Sequence, residues 1–445
     1  MISKEDMRYA RLRALDGPSS RTETHVHTAE STSSDSNEHL EKRRHVINER
    51  SIPLPFDTLK SLTQRMYENG GATDEDILRW YDQGFQFCGT PSFGLRQGNG
   101  GPCGILAAVQ AEILKFAIFG NCPDSSGVTT LPLPSESDVQ RILASACGSI
   151  LARAAEGKIS TDYFICIVDC PGLGLSPSSA CTDVIIHNFL SESEANRFIL
   201  ERLELFQSRI GCMLFLMSLM LSRGLDRIVL DMDIMSNTLS NTLIGPHGHC
   251  SQELLNLLLT GVASSNIMDG DMSMNGMTVK GVCQRSSIGY LTYLESLRYC
   301  QAGDFYKVPT YPIWVVGSTS HFTVLFALDR RVNEETESEK LLSLARRAFK
   351  SADPEENGFI DAGKLKEVLE VLQYGEVVDN DIELARLRGH LQIDGGIILW
   401  SSFWENVSRL ISKQITLDSM INISLTDVAG IARKYEMIHF CCFCT

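Results

Sequence analysis

One run of the sequence concentrates residues able to do chemistry. QGNGGPCGILAAVQAEILK, residues 97–115, sets a single cysteine, Cys103, between a glycine-rich turn and a long apolar segment. Pro102 suits the first turn of a helix, where its missing N–H would have no partner. A thiol at a helix N-terminus faces free N–H groups and the positive end of the macrodipole, which favour the thiolate. The same N–H groups can donate to an oxyanion forming on an attacked carbonyl. Gly98, Gly100 and Gly101 leave the approach open to an extended substrate, and Gln97 offers an amide donor for an oxyanion hole. Two other readings stand beside this one. The stretch can be a tight turn before a core helix, with Cys103 a small buried residue. It can also be a phosphate cradle, but GxxxxGK[ST] is absent and no strand-like run leads into the glycines.

A thiolate hydrolase needs a base, and ten histidines are available. Four lie in a polar leader. His187 reads as a loop residue, His390 and His439 fall in late segments, and His247 and His249 precede a helix in PHGHCSQ. No further spaced ligands accompany that HxH pair, so it does not read as a metal site. His321 differs, because it opens HFTVLFAL just after the strand YPIWVVG and a polar turn. A histidine at the lip of a sheet, facing a helix end, suits cysteine-protease chemistry; a polar residue closing a hairpin is the plain alternative. Asp329 shares strand parity with His321, but eight strand residues span roughly 26 Å, so it cannot touch the imidazole. The orienting group is expected from an adjacent strand or from Thr323.

A second chemical pattern is DPEENGFIDAGK, Asp353 to Lys364. It follows the calcium-binding EF-hand loop for nine positions. Asp353, Glu355, Asn357 and Asp361 fall at ligand positions, Gly358 at the turn and Ile360 at the β-bridge position. The last position requires a bidentate Glu and holds Lys364, so calcium is not expected to bind. A second degenerate unit follows around LQIDGGIILWSSFW, paired through Ile397 to Leu399.

The elements that must position these residues read as α+β, with many helices around a small, mostly antiparallel sheet. Helical spacing marks DTLKSLTQRMY and TDEDILRWYDQGF, the second capped by Thr73, and then a helix from about Cys103 to Phe119. ESEANRFILERLELF, the all-apolar CMLFLMSLMLSRG, SQELLNLLLTG and SIGYLTYLESLRYC also read as helices. YFICIVDC, TVKGV, YPIWVVG and HFTVLFAL read as strands. The chain has 445 residues, 43% of them hydrophobic, and a net charge of −15. Such a balance disfavours non-specific nucleic-acid binding and docking on anionic membranes. Fourteen scattered cysteines form no disulfide framework, and the single CxxC spacing, in the terminal CCFC, has no second pair to complete a zinc site. No cofactor motif is found. No signal peptide or membrane span is read, which places the expected protein in the nucleus or cytoplasm, not secreted.

The run from Gln97 to Lys115, followed in order by ELLNLLLTGVASSNIMDGD, SIGYLTYLESLRYCQAGDFYKVPTYPIWVVGSTSHFTVLFAL and DPEENGFIDAGKL, resembles the MINDY deubiquitinases. The EF-hand-like insert after the histidine strand points to the branch of the third member. The resemblance covers residues 75–120 and 190–400. It implies a papain-like cysteine protease that cleaves isopeptide bonds in lysine-linked polyubiquitin, preferring the linkage that marks proteins for the proteasome. Ubiquitin and its chains are then the partners. By resemblance Cys103 is the nucleophile, His321 the general base and acid, and Gln97 the oxyanion-hole donor. The domains expected are a disordered leader (1–50), a papain-like catalytic domain (51–330, with a variable insertion at 120–190) and a degenerate EF-hand-like helical insert (331–412). Residues 413–445 lack the family's closing Lys-Trp-Pro signature and read as truncated catalytic-domain strands. The competing reading is a catalytically impaired ubiquitin-binding or EF-hand-like scaffold, in which His321 is misplaced.

Overall fold

The structure is a computed structural model. It describes residues 51–413 and 439–440, apart from 69–70, 90, 99, 121–133, 158–164, 171–183, 234–241, 275–276, 320, 355–356 and 394. The leader, Glu355 and the terminal cysteines therefore lie outside the described residues.

The chain enters through β1 (Ser51–Pro53), α1 (Phe56–Met66) and α2 (Asp74–Tyr81). Thr73 starts α2 with a full capping box: its hydroxyl accepts from the Asp76 N–H and the Asp76 carboxylate accepts from the Thr73 N–H. The helix predicted after the glycine run is α3 (Cys103–Phe119), buried over almost its whole surface. A helix apolar on all sides must be surrounded. Here α4 (Glu136–Ala155) lies against it, as do α7 (Gln252–Thr260) and the main sheet.

Helix α4 is followed by β2 (Ile165–Asp169), β3 (Ile185–Phe189), α5 (Glu192–Glu201) and α6 (Gly211–Arg223). The three strands form one antiparallel sheet, ordered β1-β3-β2. Strand β2 is an edge, and α6 covers it. The Ser218 hydroxyl accepts from the Val168 N–H at 2.8 Å and the Ser222 hydroxyl accepts from the Cys166 N–H at 3.0 Å. Edge donors that would otherwise need water are thereby satisfied inside the core.

After α7 come the hairpin of β4 (Met272–Met274) and β5 (Met277–Val279), then β6 (Gly289–Thr292), β7 (Ile313–Gly317) and β8 (Phe322–Phe326). With β11 (His439–Phe440), the last three form the main sheet in the order β11-β8-β7-β6. Only the β6–β7 pair is parallel. Two expectations need correction here. SIGYLTYLESLRYC is a strand followed by a one-turn helix (Tyr293–Ser296), not one helix. The strand ends at Thr292, whose hydroxyl caps the turn by accepting from the Leu294 N–H. A single small sheet was also expected, whereas the described residues contain two larger sheets and two short ladders.

A separate hydrophobic cluster follows. It is built by α8 (Glu337–Ala352), β9 (Phe359–Asp361), α9 (Leu365–Val371), α10 (Asp381–Leu391), β10 (Ile397–Leu399) and α11 (Trp400–Ile411). Strands β9 and β10 pair antiparallel, joining two helix–loop–helix units, with Phe349, Trp400 and Phe403 in mutual ring contact. Helix α8 ties this cluster to the first. Ser343 donates to the Asp304 carboxylate at 2.6 Å, and Arg347 lies 3.6 Å from Asp269 and over the Phe305 ring. Among the described residues no helix is long and apolar enough to cross a membrane.

Candidate active site

Cys103 is the first residue of α3 and only 3% exposed. The glycine turn before it has a backbone requirement at Gly101, where φ is +147°. A side chain there would also meet the Arg79 Cβ at 3.3 Å and Trp80 at 3.5 Å. These two α2 residues carry a second loop as well. Arg79 donates to the His247 carbonyl at 3.1 Å and the Trp80 indole donates to the Gly248 carbonyl at 2.9 Å. That loop delivers Cys250 against the start of α3. A Cβ on Gly104 would lie 2.5 Å from the Cys250 sulfur, so the close approach depends on glycine.

Burial pushes the Cys103 thiol above its ordinary value, opposed by the backbone amides of Phe322, Gly104 and Cys103 itself. The helix end predicted a lowered thiol. The amides are present, but loss of water outweighs them. The Cys103 N–H also donates to the Gly101 carbonyl at 2.9 Å.

The Phe322 amide brings the second site residue near. His321 immediately precedes β8, and β8 packs on α3. The described hydrogen bonds of His321 are made by its backbone. Its carbonyl accepts from the Ser318 N–H at 2.8 Å and the Ser318 hydroxyl at 3.0 Å, and its N–H donates to that hydroxyl at 3.1 Å. One serine thus fixes both ends of the hairpin turn. Thr323 pairs in register with Val316, and strand alternation puts it on the same side as position 321. Asp329 stands apart, as its sequence distance required: it accepts from the Arg331 N–H and guanidinium, which hold its carboxyl low.

Gln97 is half-buried in the segment leading to the glycines. The carboxylate of Glu112, inside α3, is fully buried between Arg153 and Lys115. Burial alone would raise it, but the two cations hold it below the ordinary range.

His187 is a correction. It lies not in a loop but in β3, 9% exposed, with Nδ1 2.8 Å from the Ser51 hydroxyl and Nε2 3.6 Å from Asp169. His390 is on α10 and His439 in β11. Among the described residues, no three His, Cys, Asp or Glu side chains are grouped to hold a metal. In the acidic loop, Asp353 accepts from the Asn357 and Gly358 N–H groups at 3.0 and 2.8 Å, and Asp361 accepts from the Gly363 N–H. Lys364 reaches back to donate to the Ala352 carbonyl at 2.8 Å. Sequence reasoning missed the Phe322 amide and Cys250. Neither carries a local signal, because each reaches Cys103 only through tertiary packing.

The conserved domain described as "Deubiquitinating enzyme MINDY-3/4, conserved domain" matches residues 71–349. The chain belongs to this family of deubiquitinating enzymes. Among its relatives is a zebrafish (Danio rerio) protein named ubiquitin carboxyl-terminal hydrolase MINDY-3, 32% identical over 78% of this chain and 81% of its own length. The human (Homo sapiens) protein of that name is 33% identical over 75% of this chain and 78% of its own. A Xenopus tropicalis protein named as a probable MINDY-4 hydrolase is 32% identical over 60% of this chain but only 36% of its own length. No solved structure matches.

Proposed function

We propose that this chain is a thiol-dependent isopeptidase that removes lysine-linked polyubiquitin, preferring the proteasome-targeting linkage, with Cys103 as nucleophile. One observation carries the reading: β8, which His321 immediately precedes, packs on α3, whose first residue is Cys103, with the Phe322 ring beside Gly104. His321 takes the thiol proton as the sulfur attacks the C-terminal carbonyl of ubiquitin. Gln97 and the helix-end amides donate to the oxyanion. The imidazolium then gives its proton to the departing lysine amine, and the thioester remains. Water, deprotonated by His321, releases the ubiquitin carboxylate. Thr323 is the candidate to orient the imidazole.

The same reading makes residues 51–330 a papain-like catalytic domain and 331–412 a degenerate EF-hand-like insert that works without calcium. The leader and residues 413–445 flank them. The β11–β8 pairing supports a catalytic role for part of the last segment. The nucleus or cytoplasm is the expected setting. A ubiquitin carrying a C-terminal electrophile tests the assignment. Full-length protein is expected to form a covalent adduct that Cys103→Ala abolishes, and long chains are expected to be cut. An adduct that persists in Cys103→Ala would refute the assignment.

A further inference from the structure

The segment that carries Gln97 is held by two buried glutamines from elsewhere in the fold. Gln83 is 5% exposed. Its Nε2 donates to the carbonyls of Gly84 at 2.6 Å and Arg96 at 3.0 Å, and its Oε1 accepts from the Gly98 N–H at 2.8 Å. Two of these bonds therefore grip the residues directly before and after Gln97. Gln110 is 3% exposed and lies on α3. Its Oε1 accepts from the Leu95 N–H at 2.7 Å and its Nε2 donates to the Phe93 carbonyl at 3.3 Å. Seven residues of helix separate it from Cys103, about 10 Å along the same rigid element.

The bridge Phe87–Leu95 and the bond from the Arg96 N–H to the Gln86 carbonyl hold the segment as far as Arg96. Beyond Arg96, the Gly98 N–H is held by Gln83. A side-chain amide suits this task, since it offers a donor and an acceptor in one plane and can bracket a residue from both sides. A donor aimed at an oxyanion must keep its place to a fraction of an ångström to be effective.

We infer that Gln83 and Gln110 are positioning residues that register the Gln97 arm against Cys103, Gln83 by clamping its two neighbours and Gln110 by tying its base to the nucleophile's own helix. The inference rests on the oxyanion role proposed for Gln97. The test is a double-mutant cycle on cleavage of long ubiquitin chains by full-length protein, with kcat and KM measured separately. Gln97→Ala is expected to lower kcat about 100-fold, the cost of a lost oxyanion donor. Gln83→Met, similar in size but without hydrogen-bonding groups, is expected to lower kcat about 10-fold or more with KM unchanged. In the Gln97→Ala background it should cost almost nothing further, because the arm then has nothing to aim. Gln110→Met, run through the same cycle, covers the case in which Gln83→Met fails to fold, and thermal melting identifies that case. Unchanged kcat in both methionine variants, or losses that multiply with that of Gln97→Ala, would overturn the positioning role alone. A Gln97→Ala enzyme of normal kcat would overturn the oxyanion reading and this inference with it.

Discussion

At the scale of single residues, the site turns on how a thiol is kept dry. Burial raises Cys103 against three amides that favour its anion. Alkylation of Cys103 by iodoacetamide should therefore keep accelerating with pH beyond the ordinary thiol value of 9.0. Mass-spectrometric labelling rates that level off below that value would contradict this. Gly104 is the second critical position. Gly104→Ala would set a methyl 2.5 Å from the Cys250 sulfur and 2.7 Å from its Cβ. Overpacking of that kind costs about 1–3 kcal/mol, read by denaturant unfolding. Cys250→Ala should recover only part of the loss, since it removes the sulfur and leaves the Cβ. The cysteine at the helix start was legible in Gly-Gly-Pro-Cys, because turn chemistry and helix start signals are local. Its contact with Cys250 was not, because nothing in PHGHCSQ says which helix it packs on. Nor was the direction of the thiol shift, which depends on how completely the sheet closes over the helix end.

At the scale of elements, α3 is both a core helix and the carrier of Cys103, so its buried charge matters. Glu112→Ala would leave Arg153 and Lys115 facing a low-polarity cavity without their counter-charge. Losing one partner of a buried pair costs about 3–5 kcal/mol, and the melting temperature should drop accordingly. In the acidic loop, Lys364 donates to the carbonyl of Ala352, the last residue of α8. Calorimetric titration of the whole protein should show no micromolar calcium binding, and Lys364→Ala should destabilise by about 1 kcal/mol. Long periodic elements such as α3 and α6 were readable from pattern alone. Helix α4 was missed, although Ser135 caps it and Val139, Leu143, Cys147, Ile150 and Ala154 form its buried stripe. The Ser/Pro/Gly-rich segments on either side hid that local signal. Strand β6 reads as helix in the sequence because its four residues run directly into a helical turn. Its parallel pairing with β7, across the Trp314 and Tyr306 contacts at Gly289, is a tertiary fact.

At the scale of the whole molecule, the described residues form two hydrophobic cores in one chain, and the larger one encloses several thiols. Burial pushes Cys147, Cys212 and Cys250 well above the ordinary thiol value. The folded protein keeps these protons where the unfolded chain releases them. Their stabilisation is complete below the unfolded thiol value and declines as pH rises from there toward the folded values, by up to about 1.4 kcal/mol per pH unit per thiol. Urea midpoints should therefore fall between pH 8 and pH 10, and a Cys147→Ala, Cys212→Ala double variant should show a shallower fall. The fold class was legible from the mixture of helical and strand patterns. The division into separate sheets was not, because strand partners far apart in sequence leave no mark on either strand alone. That separation has a consequence in time. Cys103 and the Phe322 amide that meets it are about 220 residues apart, and contacts of such long range form late in folding. During synthesis at about 5–20 residues per second, the thiol exists for roughly 10–45 s before β8 has been made. Throughout that interval the nascent chain holds Cys103 with no strand against it and no His321 beside that strand, so the candidate site cannot assemble until translation has passed β8.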